Sequence, residues 1–245
     1  MLDLDGVVWL ADRPIPGAVE AVARLRATEE RVLFATNNSF ARLADQEAKL
    51  ERMGIPAAGD VVTSAGAAAT LVAPGERALV VGGPGIAEAV AARGAEPVRD
   101  GPADVVLVGF HRDFDYERLR VAAAAVRGGA RLVATNDDAT YPTPDGPIPG
   151  GGAIVASVAY ATGVTPVVAG KPHRPMADLI RSLAGTEGTV VGDRPETDGA
   201  FAAALGYRFA LVLTGVTGPG DLPVEPAPAV VAPTLAELVA KAGAQ

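Results

Sequence analysis
The chain of 245 residues has no cysteine, which excludes disulfides and thiolate metal sites and suits a reducing compartment such as the cytoplasm. Histidine is almost as scarce: His111 and His173 are the only two, and a lone histidine is more often structural than a ligand. Positive charge is also in short supply. Twenty-one Lys and Arg face 29 Asp and Glu, and the net charge of −8 argues against a broad nucleic-acid or anionic-membrane surface, which needs clustered cations. A small anionic substrate needs only a local positive site, so it is not excluded. No apolar run approaches the length of a membrane span, and no charged-then-apolar leader opens the chain, so a soluble cytoplasmic protein is expected. Gly, Ala and Pro are abundant without periodicity, which removes collagen-like and low-complexity readings.

With 49% hydrophobic residues, the chain can bury a real core as one large domain or two small ones. Its organising stretch is the opening, Met-Leu-Asp-Leu-Asp-Gly-Val-Val-Trp, residues 1–9. Asp3 and Asp5 alternate with Leu2 and Leu4, and then come Val7 and Val8, so the period is two and the segment reads as the end of a buried strand with both carboxylates on one side. Gly6 then lets the backbone turn away from an approaching ligand. Two carboxylates that close need a shared proton or a cation between them, and oxygen-only ligands favour magnesium over zinc. A plain Asp-x-Asp-Gly turn fits the same string, so the rest of the chain has to decide. Only Met1 and Leu2 precede Asp3, which is short for a strand, and strand lengths favour a true start upstream.

A helix is expected over 18–27, with an apolar stripe of Val19, Val22 and Leu25. A strand, Val32-Leu33-Phe34, follows and ends in Thr36-Asn37-Asn38-Ser39. In a βαβ unit ligands bind at the carboxyl ends of strands, so Thr36 and Asn37 should face the crevice of Asp3 and Asp5, although the same polar run also suits helix capping. After Pro74-Gly75 the pattern restarts as a self-contained α/β module with strands at 78–81, 105–108 and 132–134, helices at 86–93 and 116–126, and a loop over 135–152. Gly82-Gly83-Pro84-Gly85 lacks both nucleotide-loop signatures and reads as a tight turn. The first pattern returns with a strand at 166–169, Gly170-Lys171-Pro172, a helix at 175–183 and a strand at 189–191 ending in Gly192-Asp193-Arg194-Pro195-Glu196-Thr197-Asp198. The Pro-rich segment to Pro233 and a helix over 235–242 read as a closing wrap. The expected domains are thus 1–74 with 164–245, and an insertion at 75–163.

Asp3, Asp5, Thr36, Lys171 and Asp193 each stand at the end of a buried run, and in a doubly wound sheet those ends line one edge. Asp-Leu-Asp-Gly-Val, Thr36, Lys171 and Gly192-Asp193 with Asp198 resemble the four motifs of the haloacid dehalogenase-like (HAD) phosphohydrolases. Thr-Asn-Asn-Ser, Ala-Thr-Asn-Asp-Asp, Pro-Gly-Gly-Gly-Ala and Gly-Asp-Arg-Pro-Glu-Thr-Asp resemble the type IIA branch, which holds NagD-like, nitrophenyl, phosphoglycolate and pyridoxal phosphatases. The resemblance covers essentially the whole chain. It implies a Rossmann-like α/β core of doubly wound parallel sheet with an inserted α/β cap of the C2 type. It also implies a magnesium-dependent phosphatase of a small phosphorylated metabolite, with phosphotransfer to another acceptor and non-catalytic sensing as alternatives. By the same resemblance Asp3 is the nucleophile, and Asp5 the acid and base with its carbonyl on the metal. Asp193 completes the Mg²⁺ site, Asp198 supports it, Thr36, Asn37 and Lys171 hold the phosphoryl group, and a homodimer forms through the cap. The loop 135–146 would read the leaving group, with Asn136 and Tyr141 as its first contacts, Tyr141 serving equally well as cap packing.

Overall fold
A computed structural model describes residues 1–10, 13–28, 30–141, 143 and 146–242. It is an α/β protein of two compact units, Met1–Thr36 with Ala44–Val62 and Lys171–Gln245 in the first, Asn37–Leu43 with Thr63–Gly170 in the second.

In the first unit a small hairpin, β1 (Trp9–Leu10) and β2 (Arg13–Pro14), leads to helix α1 (Ala18–Ala27), whose Ala18, Ala21 and Val22 are buried. Strand β3 (Phe34–Thr36), helix α2 (Leu43–Arg52) and strand β4 (Val61–Thr63) follow. Leu2 is the hub of the sheet. It bridges Phe34 on one side and Val191 on the other, both in parallel, and Ala35 and Asp3 donate backbone hydrogen bonds to Leu2 and Val191, each at 2.9 Å. The pairing ends there. After Leu4 the chain folds back on itself in a turn at Gly6, Val7 and Val8, as Gly6 leads one to expect, and β1 opens at Trp9. Leu2, Leu4, Val7, Val8 and Trp9 nonetheless all enter one hydrophobic core with Phe34, Leu50 and Leu235, because a turn can bury apolar side chains as well as a strand can.

The same arrangement gains three strands from the end of the chain: β12 (Thr189–Gly192), β13 (Arg208–Val212) and β14 (Val230–Ala232), paired parallel in that order. Strand β14 lies inside the Pro-rich segment that reads from sequence as a wrap.

The second unit holds α3 (Ser64–Ala69), β5 (Arg77–Val81), α4 (Pro84–Ala92), β6 (Glu96–Val98), β7 (Val105–Val108), α5 (Tyr116–Arg127) and β8 (Arg131–Ala134). A short antiparallel ribbon, β9 (Thr140–Tyr141) with β10 (Ile148–Pro149), precedes α6 (Gly151–Thr162) and β11 (Val167–Val168). Its sheet is parallel throughout, in the order β11-β8-β7-β5-β6. Strand β6 carries Pro97, which an edge strand tolerates because one side of it needs no ladder donor. Strand β11 registers Val167 against Val133 and Val168 against Ala134, so this segment, expected with the first unit, is the last strand of the second. Helix α3 likewise groups with the second unit, where it packs on α4.

Back in the first unit, α7 (Arg174–Ala184), a π-type turn at Pro195–Gly199, α8 (Ala200–Leu205) and α9 (Leu235–Ala242) complete the chain. Among the described residues, no helix is long and apolar enough to cross a membrane.

Candidate active site
Four polar side chains meet in the first unit at the carboxyl ends of its strands. Asp3 follows the bridging Leu2, Asp193 follows β12, Asp198 lies in the π-type turn, and Lys171 precedes α7. Lys171, Asp193 and Asp198 are no more than 2% exposed. Lys171 Nζ donates to Asp3 Oδ1 and to Asp198 Oδ1, each at 2.7 Å. Burial alone would pull the ammonium toward neutrality, but Asp198 and Asp3 outweigh it and raise the Lys171 pKa above its ordinary value. For Asp3, burial acts first and Asp198 and Asp193 add to it, against Lys171, so its pKa stands well above the usual carboxylate range.

One ammonium thus faces three carboxylates, of Asp3, Asp193 and Asp198, whose ligand atoms lie within 4.8 Å of one another. Asp193 carries the clearest sign of a missing partner. Its Oδ2 accepts the Val216 N–H at 2.7 Å, while Oδ1 is buried and has no hydrogen-bond partner among the described residues. Burial first, and then the charge of Asp198, push its pKa up to about 6. Buried carboxylate oxygens do not stay unpaired without cost, and this donor set is all oxygen, so the residues fit a magnesium ion. Two glycines make the room. A Cβ on Gly6, whose φ is +82°, would stand 2.4 Å from Asp193 Oδ2, and one on Gly215 would stand 1.9 Å from the same atom. Asp198 has less to offer a cation, since Oδ1 is taken by Lys171 and Oδ2 accepts the Arg194 N–H at 3.3 Å.

Asp5 does not share the cluster. The residue retains solvent access, and its Oδ1 accepts the Trp9 indole N–H at 2.9 Å. Its carboxyl pKa is nonetheless raised, by desolvation first, against the opposing effect of Trp9, Lys49, Lys171 and Arg194. Thr36 is buried at the end of β3, in the first unit.

The remaining expected residues lie in the second unit. The Asn37 carbonyl accepts from Ser64 Oγ at 2.7 Å and from Asn136 Nδ2 at 2.8 Å, and Asn37 Nδ2 donates to both oxygens of Asp138 at 3.2 Å. Asn136, expected to touch substrate, is instead buried with its amide held at both ends, since its Oδ1 accepts from the Asp138 N–H at 3.2 Å. A buried amide satisfies itself on nearby backbone, and here that makes it a clamp on residue 37. Tyr141 is half-buried and stacks on Phe110 with ring centroids 4.9 Å apart, the packing arrangement of its two readings. Pro142, Pro144 and Asp145 of the same loop lie outside the described residues.

Two residues of weight were not singled out by sequence reasoning. They are Ser64, which holds the Asn37 carbonyl, and Trp9, which holds Asp5. A tryptophan that occurs once in the chain, four residues after a candidate catalytic carboxylate, was the available signal.

A model of haloacid dehalogenase-like hydrolases matches residues 1–96, and a second, of HAD-hydrolase-like proteins, matches residues 168–238. The chain is 42% identical over 230 residues to the D-glycerol 3-phosphate phosphatase of Mycobacterium tuberculosis, covering 90% of this chain. It spans 64% of the length of that protein. Among solved structures it resembles the p-nitrophenyl phosphatase of Archaeoglobus fulgidus with a TM-score of 0.93 at 31% identity, over 98% of this chain and 97% of that one. It also resembles the glycerol phosphate phosphatase of Mycobacterium tuberculosis in complex with magnesium, with a TM-score of 0.89 at 39% identity, over 97% of this chain and 75% of that one.

Proposed function
The chain belongs to the haloacid dehalogenase-like hydrolases, and on that premise we propose that it is a magnesium-dependent phosphatase of a small phosphate monoester, working through a phosphoaspartate on Asp3. The observation that carries this reading is the buried Lys171 strung between Asp3 and Asp198 beside the unpaired oxygen of Asp193. A carboxylate can attack a phosphate dianion only where the negative charge of both has been neutralised beforehand. Lys171 supplies fixed positive charge at Asp3 and holds its carboxylate in one orientation. Asp3, Asp193 and the Asp5 carbonyl would hold magnesium, which when bound supplies the further positive charge that anionic substrate and nucleophile require.

In the first half-reaction an Asp3 oxygen forms a bond to phosphorus while the ester P–O bond breaks, and Asp5 delivers its proton to the departing oxygen. In the second, water attacks phosphorus, Asp5 takes the water proton, and the bond from phosphorus to Asp3 breaks, releasing inorganic phosphate and restoring both carboxyl groups. Thr36 and Asn37 bind the phosphoryl oxygens, with the Asn37 backbone fixed by Ser64 and Asn136. Asp198 acts through Lys171, whose ammonium donates to its Oδ1. Relatives named for glycerol phosphate and nitrophenyl phosphate support a small alkyl or aryl ester as substrate class. The absence of cysteine supports the cytoplasm as its compartment, and the exposed Tyr116 and Tyr160 of the second unit support a homodimer through that unit, which a mass measurement in solution checks.

The test is inorganic phosphate release from a panel of alkyl, sugar, aryl and nucleoside monoesters, with magnesium and with chelator, using Asp3→Asn as blank. Magnesium-dependent release absent from the blank is the expected result. Release by folded Asp3→Asn at the wild-type rate would overturn the assignment.

A further inference from the structure
The turn after Asp3 contains a contact that packing alone does not require. Trp9 is 2% exposed and is the chain's single tryptophan. Its ring belongs to the core of the first unit, yet its one polar atom points at a carboxylate: Nε1–H donates to Asp5 Oδ1 at 2.9 Å. The backbone of the same residue grips the same turn. The Trp9 carbonyl accepts the Gly6 N–H at 2.8 Å, and the Trp9 N–H donates to the Leu4 carbonyl at 3.1 Å. From α2, Lys49 places Nζ 4.0 Å from the centroid of the indole ring.

We propose that Trp9 is a positioning residue for proton transfer, its indole N–H pinning one oxygen of Asp5 so that the other is presented to the leaving group. The inference rests on the reading of Asp5 as acid and base. A carboxyl on an exposed turn would otherwise rotate among staggered rotamers, and most of those orientations miss the departing oxygen. The indole suits this task because it is a donor only and does not titrate, so it orients Asp5 without competing for the proton. The Lys49 ammonium over the ring face draws the ring's electrons toward itself and makes the N–H a stronger donor. During ester cleavage the proton on the unpinned Asp5 oxygen passes to the leaving oxygen as its bond to phosphorus breaks. The indole hydrogen bond then stabilises the carboxylate that remains.

The leaving group separates this role from simple packing. An alkoxide must be protonated as it departs, whereas nitrophenolate leaves without help. Trp9→Phe keeps the buried ring and removes the N–H. The measurement is kcat/KM, which reads only as far as departure of the leaving group, for glycerol phosphate and nitrophenyl phosphate with wild type, Trp9→Phe and Asp5→Asn. Trp9→Phe should lose about tenfold on the alkyl ester, a fraction of what general acid catalysis is worth, and less than about twofold on the aryl ester. Equal losses on both esters, or none on either while Asp5→Asn is impaired, would overturn the proposal. Asp5→Asn active on the alkyl ester at the wild-type level would instead overturn the reading of Asp5 beneath it. Should Trp9→Phe not fold, the single indole N–H resonance of ¹⁵N-labelled protein decides the matter. It should lie downfield of free tryptophan and move upfield in Asp5→Ala; an indole signal at the free position, unmoved by that substitution, refutes the contact.

Discussion
Replacing Lys171 with methionine perturbs the site most deeply. Lys171 is 2% exposed and its ammonium is bonded at 2.7 Å to two carboxylates, with Asp193 in the same cluster, so its removal takes from the three acids the cation bonded to two of them. Breaking a buried ion pair by removing one partner costs about 3–5 kcal/mol. In chelator at pH 8, Lys171→Met should therefore lose about that much unfolding free energy in urea, followed by far-UV circular dichroism. The loss has a pH signature. Without the lysine the carboxylates hold protons more tightly still, so the gap between variant and wild type should narrow as the pH falls from 8 to 5. Saturating magnesium should recover part of the stability, because a cation bound only by the folded state shifts the equilibrium toward it. Activity should stay down by about 10²–10³-fold in kcat even then, since the positive charge at Asp3 and the phosphoryl group is gone. A variant as stable as wild type at pH 8 without metal, within about 0.5 kcal/mol, would refute the claim that Lys171 neutralises this cluster.

Other consequences are equally concrete. Gly215→Ala would drive a methyl group into Asp193 Oδ2, so the carboxylate must move; magnesium titrated by calorimetry should bind at least about tenfold more weakly, and the unfolding midpoint in chelator should fall as the Val216 hydrogen bond to that oxygen is disturbed. The Asp193 pKa of about 6 lies above its ordinary value, so the metal-free protein holds a proton there that the unfolded chain has released. That stabilising contribution is fully present below about pH 4 and is lost as the pH rises through about 6. Magnesium needs both the Asp193 and the Asp3 carboxylates, and both pKa values are raised, so its apparent affinity should rise with pH through about 6, as isothermal titration at several pH values will show. Asn136→Ala leaves the Asn37 carbonyl and the Asp138 N–H each short of a partner, and should destabilise the protein by about 1–3 kcal/mol and raise KM more than it lowers kcat.

Much of this was readable in the sequence because the information is local. An unbroken apolar run marks β7 and a helical stripe marks α1 to the residue, and polar groups at the ends of apolar runs mark Asp3, Asp193 and Lys171. What escaped depends on partners distant in sequence. Two valines at 167–168 carry no label saying that Val133 and Ala134 will pair with them rather than a strand of the first unit. Strand β14 is hidden among prolines, and only its register against Ala210 to Val212 reveals it. The alternation of Leu2 and Leu4 with Asp3 and Asp5 marks a strand and Gly6 marks its turn, but neither says that the turn brings the Trp9 indole back to Asp5. Asn136 looked like a reader of substrate because it is polar and sits in a loop. It is buried because Asn37 needs a donor there, a fact that belongs to two segments 99 residues apart.

The measurement closest to the centre of the account is acid quenching of the wild-type enzyme during turnover, followed by mass spectrometry of its N-terminal peptide. A phosphoryl group on Asp3, formed with magnesium and absent in chelator, is the predicted result. Phosphate release at full rate with no phosphoryl group ever found on Asp3, under conditions that preserve acyl phosphates, would contradict it.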